Sequence, residues 1–442
     1  MSAPQINIPE QYTLESVTLT AERFSEDIDI TGSIEELNIF ESLDSIFLSG
    51  NLLFLDDNGL LSAIDLSGTE RITMTLSLPA EGSEKLTKTF IISSVKDQIK
   101  TNNNTVIVKL QLIEEIGFLA QVKKYSKAYS GTAEQILAKI CKDQLNMNLV
   151  NLGKNSVQES FKVLVPYLTV EQSLKWVLSK ATTVNGSPFF LFSTLKGNKL
   201  YLLDLDTILQ NPSANPDFPF IFSSSFTNMS TNSIKDRARE IQSIKLSNQD
   251  DTINLARSGS IGASFTNTLL DANRTNAYHH DIVNVYSDLV RDGIVEGTQK
   301  KGIVDYNFKL SEIPLNNYNS NRFYQLSFST FEDIKNYYEE QDFSVTKNRI
   351  KSKSLLNLLQ KQPIEINVPG ALFLTNTYVG PGTNISVVIE NNSTTNRKET
   401  DVQDKTLSGV YIIYNKRHLF SGNGTSQSHK VSLKLCRIAK EL

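Results

Sequence analysis

The side chains that most often bind metals or move protons are scarce in this sequence. The chain has four histidines, which form two close pairs, His279 with His280 and His418 with His429. Adjacent histidines cannot share a helix face in the way that a zinc-binding HExxH motif requires. His418 and His429 flank the loop of the last predicted hairpin. We therefore interpret all four as solvated or hydrogen-bonded loop histidines and predict no metal site.

Motifs that bind phosphate or carry a nucleophile are absent from the contexts in which they work. No GxSxG, P-loop or GxGxxG motif links a predicted strand to a helix. The run Asp56-Asp57-Asn58-Gly59 lacks the downstream glutamate of a calcium loop, so it predicts a tight turn. A carboxylate pair of the glycosidase type stays open, because acidic residues are numerous and no pattern selects two of them. The sequence predicts no catalytic residue and no cofactor.

One basic cluster occurs near the end of a polar stretch, at Lys347, Arg349, Lys351 and Lys353. A spacing of two residues spreads these charges around a helix, which favours a solvated helix face over an anion site. A helix that faces an acidic neighbour inside a conduit is the alternative. The formal net charge of the chain is −4, so no overall positive field attracts nucleic acid or anionic lipid.

Length and composition indicate a soluble protein with several modest cores. A chain of 442 residues is expected to form roughly three domains of about 150 residues each. The 22 Phe and 15 Tyr favour packed β structure. Cys141 and Cys436 are predicted to be buried free thiols, with a disulfide as the alternative. We expect no signal peptide, no membrane insertion and synthesis in the cytoplasm, because no leader pattern and no apolar run of about 20 residues occurs.

A strand pattern appears twice, once near each end of the chain, at 68–113 and at 382–437. Each copy begins with a glycine and an alternating strand, continues through a polar loop into an aromatic-aliphatic strand, and ends in strict apolar alternation. Alternation with a period of two residues means one buried and one wet face. The shared order of elements predicts a duplicated β-barrel or sandwich, although any two antiparallel meanders look somewhat alike.

The remaining elements divide the chain into four parts. Residues 1–125 read as a first β-barrel, in which 38–50 form an ordered excursion between strands. Two capping boxes, at Thr132–Gln135 and Thr169–Gln172, begin helices of an α+β part that also contains a hairpin and spans 126–235. A second barrel is predicted from two β segments, 236–275 and 346–442, the latter opening with a helix at 346–359. Between them, 276–345 read as an inserted helix and loop domain, with a helix over 278–292.

Taken in order, these segments resemble the central baseplate hub proteins of contractile-tailed, T-even-type bacteriophages. The opening ITGSIEELNIFESLDSIFLSGNLLFLDDNGLLSAIDLSGTERITMTLSLP is similar to the series that leads into the first barrel of that family. The matching positions are Leu37, Ile39, Glu41, Ser42, Leu43, Gly50, Asp57, Gly59, Leu60, Leu66, Gly68 and Glu70. Two closing segments, IEINVPGALFLTNTYVGPGTNISVVI and GVYIIYNKRHLFSGNGTSQSHKVSLKLCRI, also resemble the family. The resemblance covers most of the chain, but 276–345 match nothing specific.

The resemblance implies a structural homotrimer without enzymatic activity. Two tube-type barrels per subunit would give a pseudo-sixfold ring that adapts a threefold central spike below to a sixfold tail tube, or a tube-initiator protein, above. Wedge proteins and the tape-measure protein are further expected partners, and duplex DNA is expected to pass through without tight binding. The oligomer or tube contacts are expected at Phe40, Glu41, Ser42, Asp44 and Phe47.

Two alternatives stay open. The first is a hub component of a secretion or injection machine, in which an oligosaccharide-binding-type barrel and a needle often follow the hub. The chain ends at Leu442 soon after the last strand, so we expect no fused needle. The second is a tail-associated hydrolase of the cell wall, which would need a catalytic set that only 276–345 could hold.

Overall fold

Most strands of the protein belong to one continuous, largely antiparallel sheet that serves two barrels. The computed structural model describes residues 10–438 except 58, 61–63, 65, 78–84, 101–104, 156–159, 223–233, 247–251, 270–273, 292–308, 315–321, 328–340, 361–362, 375–378, 391–402, 405–406 and 423–426. The predicted fold class is confirmed: the chain is mainly β, with α+β insertions.

The first barrel is made by the strands before residue 115. They are β1 (Thr13–Thr20), β2 (Ile28–Asp29), β3 (Ile34–Ser42), β4 (Ser49–Asp56), β5 (Arg71–Ser77), β6 (Leu86–Lys100) and β7 (Val106–Glu114). Neighbours follow the order β3-β4-β7-β6-β5-β1-β2. β2, the last strand in this order, pairs with β1. The chain then continues from β2 through a 3-10 turn, Thr31–Ser33, directly into β3, the first strand in the order, and this closes the barrel.

The middle part combines helices with short strands. Its elements are α1 (Glu115–Val122), β8 (Lys124–Tyr125), β9 (Ala128–Thr132), α2 (Ala133–Leu145), β10 (Leu149–Asn151), β11 (Ser160–Leu164), β12 (Leu168–Thr169), α3 (Val170–Leu178), β13 (Phe189–Ser193), β14 (Leu200–Asp204) and α4 (Leu205–Gln210). Both predicted capping boxes are present, because Thr132 and Thr169 each exchange hydrogen bonds with the glutamine three residues later.

The chain then begins the second barrel and leaves it for an insertion. The elements are β15 (Phe220–Phe222), α5 (Ile234–Arg237), β16 (Ser243–Leu246), α6 (Thr252–Arg257), β17 (Gly262–Leu269), β18 (Arg274–Asp281), α7 (Ile282–Arg291), β19 (Lys309–Leu310), β20 (Ile313–Pro314), β21 (Arg322–Ser327) and α8 (Gln341–Leu359). β17 pairs with β18 and with β21 in a separate sheet.

The last strands complete the second barrel. They are β22 (Ile364–Pro369), β23 (Asn384–Ile389), β24 (Gly409–Ser421) and β25 (Ser428–Cys436). The order is β16-β22-β25-β24, while β23 pairs with β24 and with β15. Ile221 in β15 donates its backbone N–H to Arg239 and accepts from Ile241, at 3.0 and 2.9 Å, which closes the barrel next to β16. Each barrel has its own apolar core.

Three predictions about elements need correction. The excursion predicted at 38–50 is mostly strand, because β3 continues to Ser42 and β4 begins at Ser49. Ile253 and Leu255, which fall in the β segment predicted at 236–275, lie in α6, where Ile253 is exposed and Leu255 packs on a core, since residues two apart point to different sides of a helix. The helix predicted over 278–292 begins only at Ile282, because the preceding residues pair with β17. The helix at 346–359 is confirmed and begins earlier.

The division into four domains stays a prediction. Within it, β17 was assigned to the second barrel but lies in the sheet that it forms with β18 and β21. The hairpin of the middle part is confirmed as β13 and β14, joined through Gly197 with a φ of +96°. Much of 292–345 lies outside the described residues.

Candidate functional site

The two barrels of the chain join edge to edge where β24 leaves one and meets the other. Gly409–Ile412 of β24 pair with β23 of the second barrel. After a bulge at Tyr414, residues 415–421 pair antiparallel with β3 of the first barrel, from Asn415 opposite Ser42 to Ser421 opposite Glu36. We call this ladder between β24 and β3 the barrel junction.

A cluster of four buried polar side chains lies at the barrel junction. Glu41 comes from β3, Lys416 and His418 come from β24, and His429 comes from β25. The side chains of Glu41, Lys416 and His418 are 0, 5 and 1% exposed, and His429 is fully buried. We call these four residues the junction cluster.

The junction cluster is a chain of short contacts. Lys416 Nζ lies 3.0 Å from Glu41 Oε1, and His418 Nε2 lies 3.1 Å from the same oxygen. His418 Nδ1 lies 3.0 Å from His429 Nε2. Lys416 also donates a hydrogen bond of 3.1 Å to the backbone carbonyl of Val379.

Burial and charge set the protonation states of the junction cluster. Burial opposes ionisation of Glu41, but the Lys416 charge and the hydrogen bonds from His418 and Lys416 outweigh it and lower the pKa of Glu41 to about 2. Burial, reinforced by the positive charge of Lys416, lowers the pKa of His418 to about 4. Burial lowers the pKa of His429 well below its usual value. At neutral pH the cluster therefore holds a Glu41–Lys416 ion pair and two neutral histidines.

These states determine which ring nitrogens carry protons. An ionised carboxylate only accepts, so His418 Nε2–H must donate to Glu41. A neutral imidazole has one N–H, so His418 Nδ1 accepts from His429 Nε2–H. His429 Nδ1 is then unprotonated. Neither that nitrogen nor Glu41 Oε2 has a hydrogen-bond partner among the described residues.

The rings of the junction cluster are packed tightly on both sides. Phe420 stacks on His429 with 4.2 Å between centroids. Gly370 covers the other side, where its backbone N–H donates to His429 O at 2.8 Å, and a Cβ added at Gly370 would overlap the His429 ring. The cluster is therefore a closed interior site and not a surface pocket.

The interpretation of His418 and His429 as loop histidines is wrong. Both lie inside strands and are buried, because β3 covers the half of β24 that extends beyond the second barrel. The alternation of Lys416, His418 and Phe420 on one face was the available sequence signal. His280 is also buried, with Nε2 3.1 Å from Ser354 Oγ, whereas His279 is exposed.

The five predicted contact residues lie close to the barrel junction. Glu41 belongs to the junction cluster, and Ser42 Oγ donates to Asn415 Oδ1 at 2.6 Å. Phe40 lies under the Arg417 guanidinium, 5.9 Å from its ring centroid. Asp44 is exposed and accepts from Tyr414 OH, while Phe47 is buried in the core of the middle part. Their role in contacts with other chains stays a prediction.

Glu70, one of the positions that match the resembled family, also has a structural role in the first barrel. Glu70 is buried and accepts from the backbone N–H groups of Ser67, Gly68 and Thr69 at 2.8, 2.9 and 3.1 Å. Burial opposes its ionisation, but these bonds and the Arg23 guanidinium lower its pKa to about 2. Gly68 has a φ of +83°, which favours glycine in this turn.

Three further predictions concern the basic cluster, the turn at Asp56–Gly59 and the two cysteines. The basic cluster was interpreted as a solvated helix face, but Lys351 is buried, with Nζ 3.9 Å from Asp288 Oδ2, because this side of α8 packs on other elements. The predicted turn at Asp56–Gly59 is supported by its described residues: Asp56 Oδ1 accepts from Leu60 N at 2.7 Å, and Gly59 has a φ of +71°. Cys141 and Cys436 are buried free thiols, as predicted.

In the described part of the chain, no group of three or more His, Cys, Asp or Glu side chains is arranged to hold a metal ion. The described helices are all too short or too polar to cross a membrane.

Comparison with known proteins supports the fold. No family model and no curated protein matches the sequence. A tail protein from Neisseria meningitidis MC58 has a TM-score of 0.51 at 13% identity, covering 97% of this chain and 98% of that one. The 43 kDa tail protein of prophage MuSo2 from Shewanella oneidensis has a TM-score of 0.49 at 11% identity, covering 96 and 98%. A type VI secretion component from E. coli has a TM-score of 0.42 at 9% identity, covering 97 and 77%.

The Neisseria tail protein shares its fold with this chain over nearly the full length of both. The predicted resemblance is therefore confirmed at the level of the fold. The barrel junction is the part of this fold in which the second copy of the duplicated meander, through β24, meets β3 of the first barrel.

Proposed function

We propose that this protein is the structural baseplate hub of a contractile phage tail. In the proposed assembly three chains form a ring of six barrels, which joins a threefold central spike to a sixfold tail tube and surrounds the path of the DNA. Wedge proteins and the tape-measure protein are proposed as further neighbours.

The observation that supports this proposal best is the equivalence of the two barrels. The bulge between Ile92 and Ser94 in β6 corresponds to the bulge between Ile413 and Asn415 in β24. Ile92 N donates to Glu70 O and Ile413 N donates to Thr383 O, each at 2.9 Å, at the matching point of each barrel. β6 has a second bulge, between Val95 and Asp97, that β24 lacks, so beyond it the two barrels match when positions are counted along β7 and β25. Two barrels that match in this way are what a threefold ring needs in order to offer six similar units.

The proposal includes the absence of enzymatic activity. The described histidines that come together at the barrel junction are buried and tightly packed, so a substrate cannot reach them. Lysis of purified peptidoglycan by this chain alone would contradict this part of the proposal and favour the hydrolase alternative.

Light scattering coupled to size exclusion tests the trimer. The expected mass is about three times 49.4 kDa, and negative-stain images should show a threefold ring with a central hole. A protein that stays monomeric even at high concentration would refute the proposed ring.

Duplex DNA is proposed to pass through the ring without tight binding. Tight binding through many Lys and Arg contacts would be salt-dependent and would slow DNA passage. The net charge of −4 is consistent with a weakly charged conduit. Nanomolar, salt-sensitive binding of duplex DNA by the purified trimer would contradict the proposal.

A further inference from the structure

The two strands of the barrel junction, β24 and β3, each correspond to another strand of the chain, and those two strands do not pair with each other. The register of the sheet gives the match between copies: Leu112 opposes Ile92 as Leu435 opposes Ile413. It follows that β6 corresponds to β24, β7 to β25, and β4 to β22. By the same reasoning β16, which pairs with β22, corresponds to β3, which pairs with β4.

We call the residues after the first bulge the distal half of each strand, which is 415–421 in β24 and 94–100 in β6. In the second barrel, the distal half of β24 pairs with β3. In the first barrel, the distal half of β6 is open. β5 pairs only with Leu86–Ile91 of β6, and no described strand pairs with the same edge beyond that point. Residues 96–100 of β6 are all exposed, whereas Lys416, His418 and Phe420 on the matching half of β24 are buried.

The strand that corresponds to β3 is open as well. β16 lies at the end of the large sheet and pairs along one edge with β22, and among the described strands none pairs with its other edge. The chain therefore has one junction in which both partners are present and one matching pair of open edges. Open edges present unpaired N–H and C=O groups, which favour pairing with another strand.

Exposed apolar side chains mark both open edges. Ile99 in β6 is 55% exposed and Leu246 in β16 is 52% exposed. The positions that match Leu246 and Ile99 at the barrel junction are Ile39, fully buried in β3, and Leu419, half-buried in β24. An interface that buries the barrel junction's side chains would therefore bury these two as well.

The two open edges do not pair with each other within the chain. Six strands lie between β16 and β6 in the order of the large sheet, and no described pairing joins the two edges. A contact between them must therefore join two chains head to tail, and head-to-tail contacts close into a ring when the rotation between units allows it.

We infer that β16 of one subunit pairs antiparallel with the distal half of β6 of the next subunit, and that this interface between two copies of the chain repeats the barrel junction. This inference deepens the proposed function and rests on the proposed ring. Six equivalent junctions, three within chains and three between chains, then close the ring.

The barrel junction also supplies the register. His418 opposes Ile39 and Leu419 opposes Asn38. The matching positions of β6 are Gln98 and Ile99, and those of β16 are Leu246 and Lys245. The inferred interface therefore places Gln98 opposite Leu246 of the next subunit and Ile99 opposite Lys245.

A double cysteine variant, Gln98→Cys with Leu246→Cys, tests this register. Directly opposed residues of antiparallel strands have Cα atoms about 4.5–5.5 Å apart, within the span of a disulfide. Mild oxidation should link chains into a ladder that ends at three on a non-reducing gel. The native Cys141 and Cys436 are buried and stay in place.

The matched control is Ile99→Cys with Leu246→Cys. Successive residues of a strand point to opposite faces, so this pair should not crosslink although its positions lie one residue apart in register. Equal crosslinking of both pairs would overturn the inferred register.

A second comparison does not depend on a disulfide. Ile99→Lys would place a like charge opposite Lys245 and should weaken each interface about two- to fivefold relative to Ile99→Glu, which places an opposite charge there. Analytical ultracentrifugation of the two variants measures the difference. Equal dissociation of both would count against the pairing of Ile99 with Lys245.

The outcomes separate this inference from the proposed function. A trimer by light scattering that forms no crosslink overturns the strand pairing and leaves the trimer standing. A monomer without crosslink overturns both. Crosslinked chains longer than three support the strand pairing and overturn the closed ring.

Discussion

Removing Lys416 from the junction cluster should destabilise the protein strongly. The Nζ of Lys416 lies 3.0 Å from Glu41 Oε1, and both side chains are almost fully buried. At an effective dielectric constant of about 20, two unit charges at this distance attract each other by about 5 kcal/mol, which offsets the cost of burying them. Lys416→Met leaves Glu41 buried without its cation, and such a change typically costs about 3–5 kcal/mol.

The double variant Glu41→Leu with Lys416→Met should recover much of this loss. Replacing both charges of a buried pair with apolar groups of similar size is often close to neutral. Full recovery is not expected, because Lys416 also donates to the carbonyl of Val379 and His418 loses its acceptor. Urea unfolding of the wild type, both single variants and the double variant gives the coupling energy.

A matched control exists on the surface, between β5 of the first barrel and α1. Arg71 and Glu115 form an ion pair of 2.8 Å, but their side chains are 45 and 42% exposed. Arg71→Met should therefore cost less than about 1 kcal/mol. If Lys416→Met cost no more than Arg71→Met, or if the double variant were less stable than either single variant, the argument from burial would be refuted.

Three other predictions follow from the barrels and their junction. Val108→Asp and Leu433→Asp each place a carboxylate in a barrel core and should lower the unfolding free energy by several kcal/mol in chemical denaturation. Lys109→Asp on the exposed face should lower it by well under about 1 kcal/mol. Intact trimers with Leu433→Asp would argue against the second barrel as a ring unit. Gly370→Ala should destabilise by about 1–3 kcal/mol in thermal unfolding because its Cβ overlaps His429, while Gly32→Ala, which meets no atom within 4 Å, should not. The unfolding free energy should fall as the pH drops from about 6.5 to about 4, because histidines of the unfolded chain take up protons at pH values where His418 and His429 of the folded protein stay neutral. In urea titrations, His418→Gln should make the unfolding free energy depend less on pH, and the exposed His279→Gln should not.

Local patterns allowed the elements of the fold to be predicted well. The capping boxes at Thr132 and Thr169 depend on residues three positions apart, and both helices begin there. The alternation around Val108 and Leu433 predicted their burial, because each position is decided by the face of one strand. The paired bulges were not visible in the sequence, since a bulge depends on the partner strand.

The junction cluster could not be predicted, because its members come from distant parts of the chain. Glu41 and His418 are separated by 377 positions. Alternation shows which residues of a strand share a face but not which strand lies beside it. The sequence therefore predicts His418 to be a loop residue, because it does not show that β3 lies next to β24.

The chemistry of the barrel junction also opposes incorrect pairing between subunits. At the positions that match Lys416, His418 and His429, the first barrel has Val95, Gln98 and Val106. If β3 of one chain paired with the open half of β6 of another, Glu41 would lie opposite Val95 and no longer opposite a lysine, and a buried charge without its partner costs several kcal/mol. Only β24 offers Glu41 both an ammonium group and an imidazole N–H. In the inferred ring, two junctions with the same backbone geometry would therefore be distinguished by a single charged pair, which would direct β3 to its own chain and leave the open edge of β6 to β16 of the next subunit.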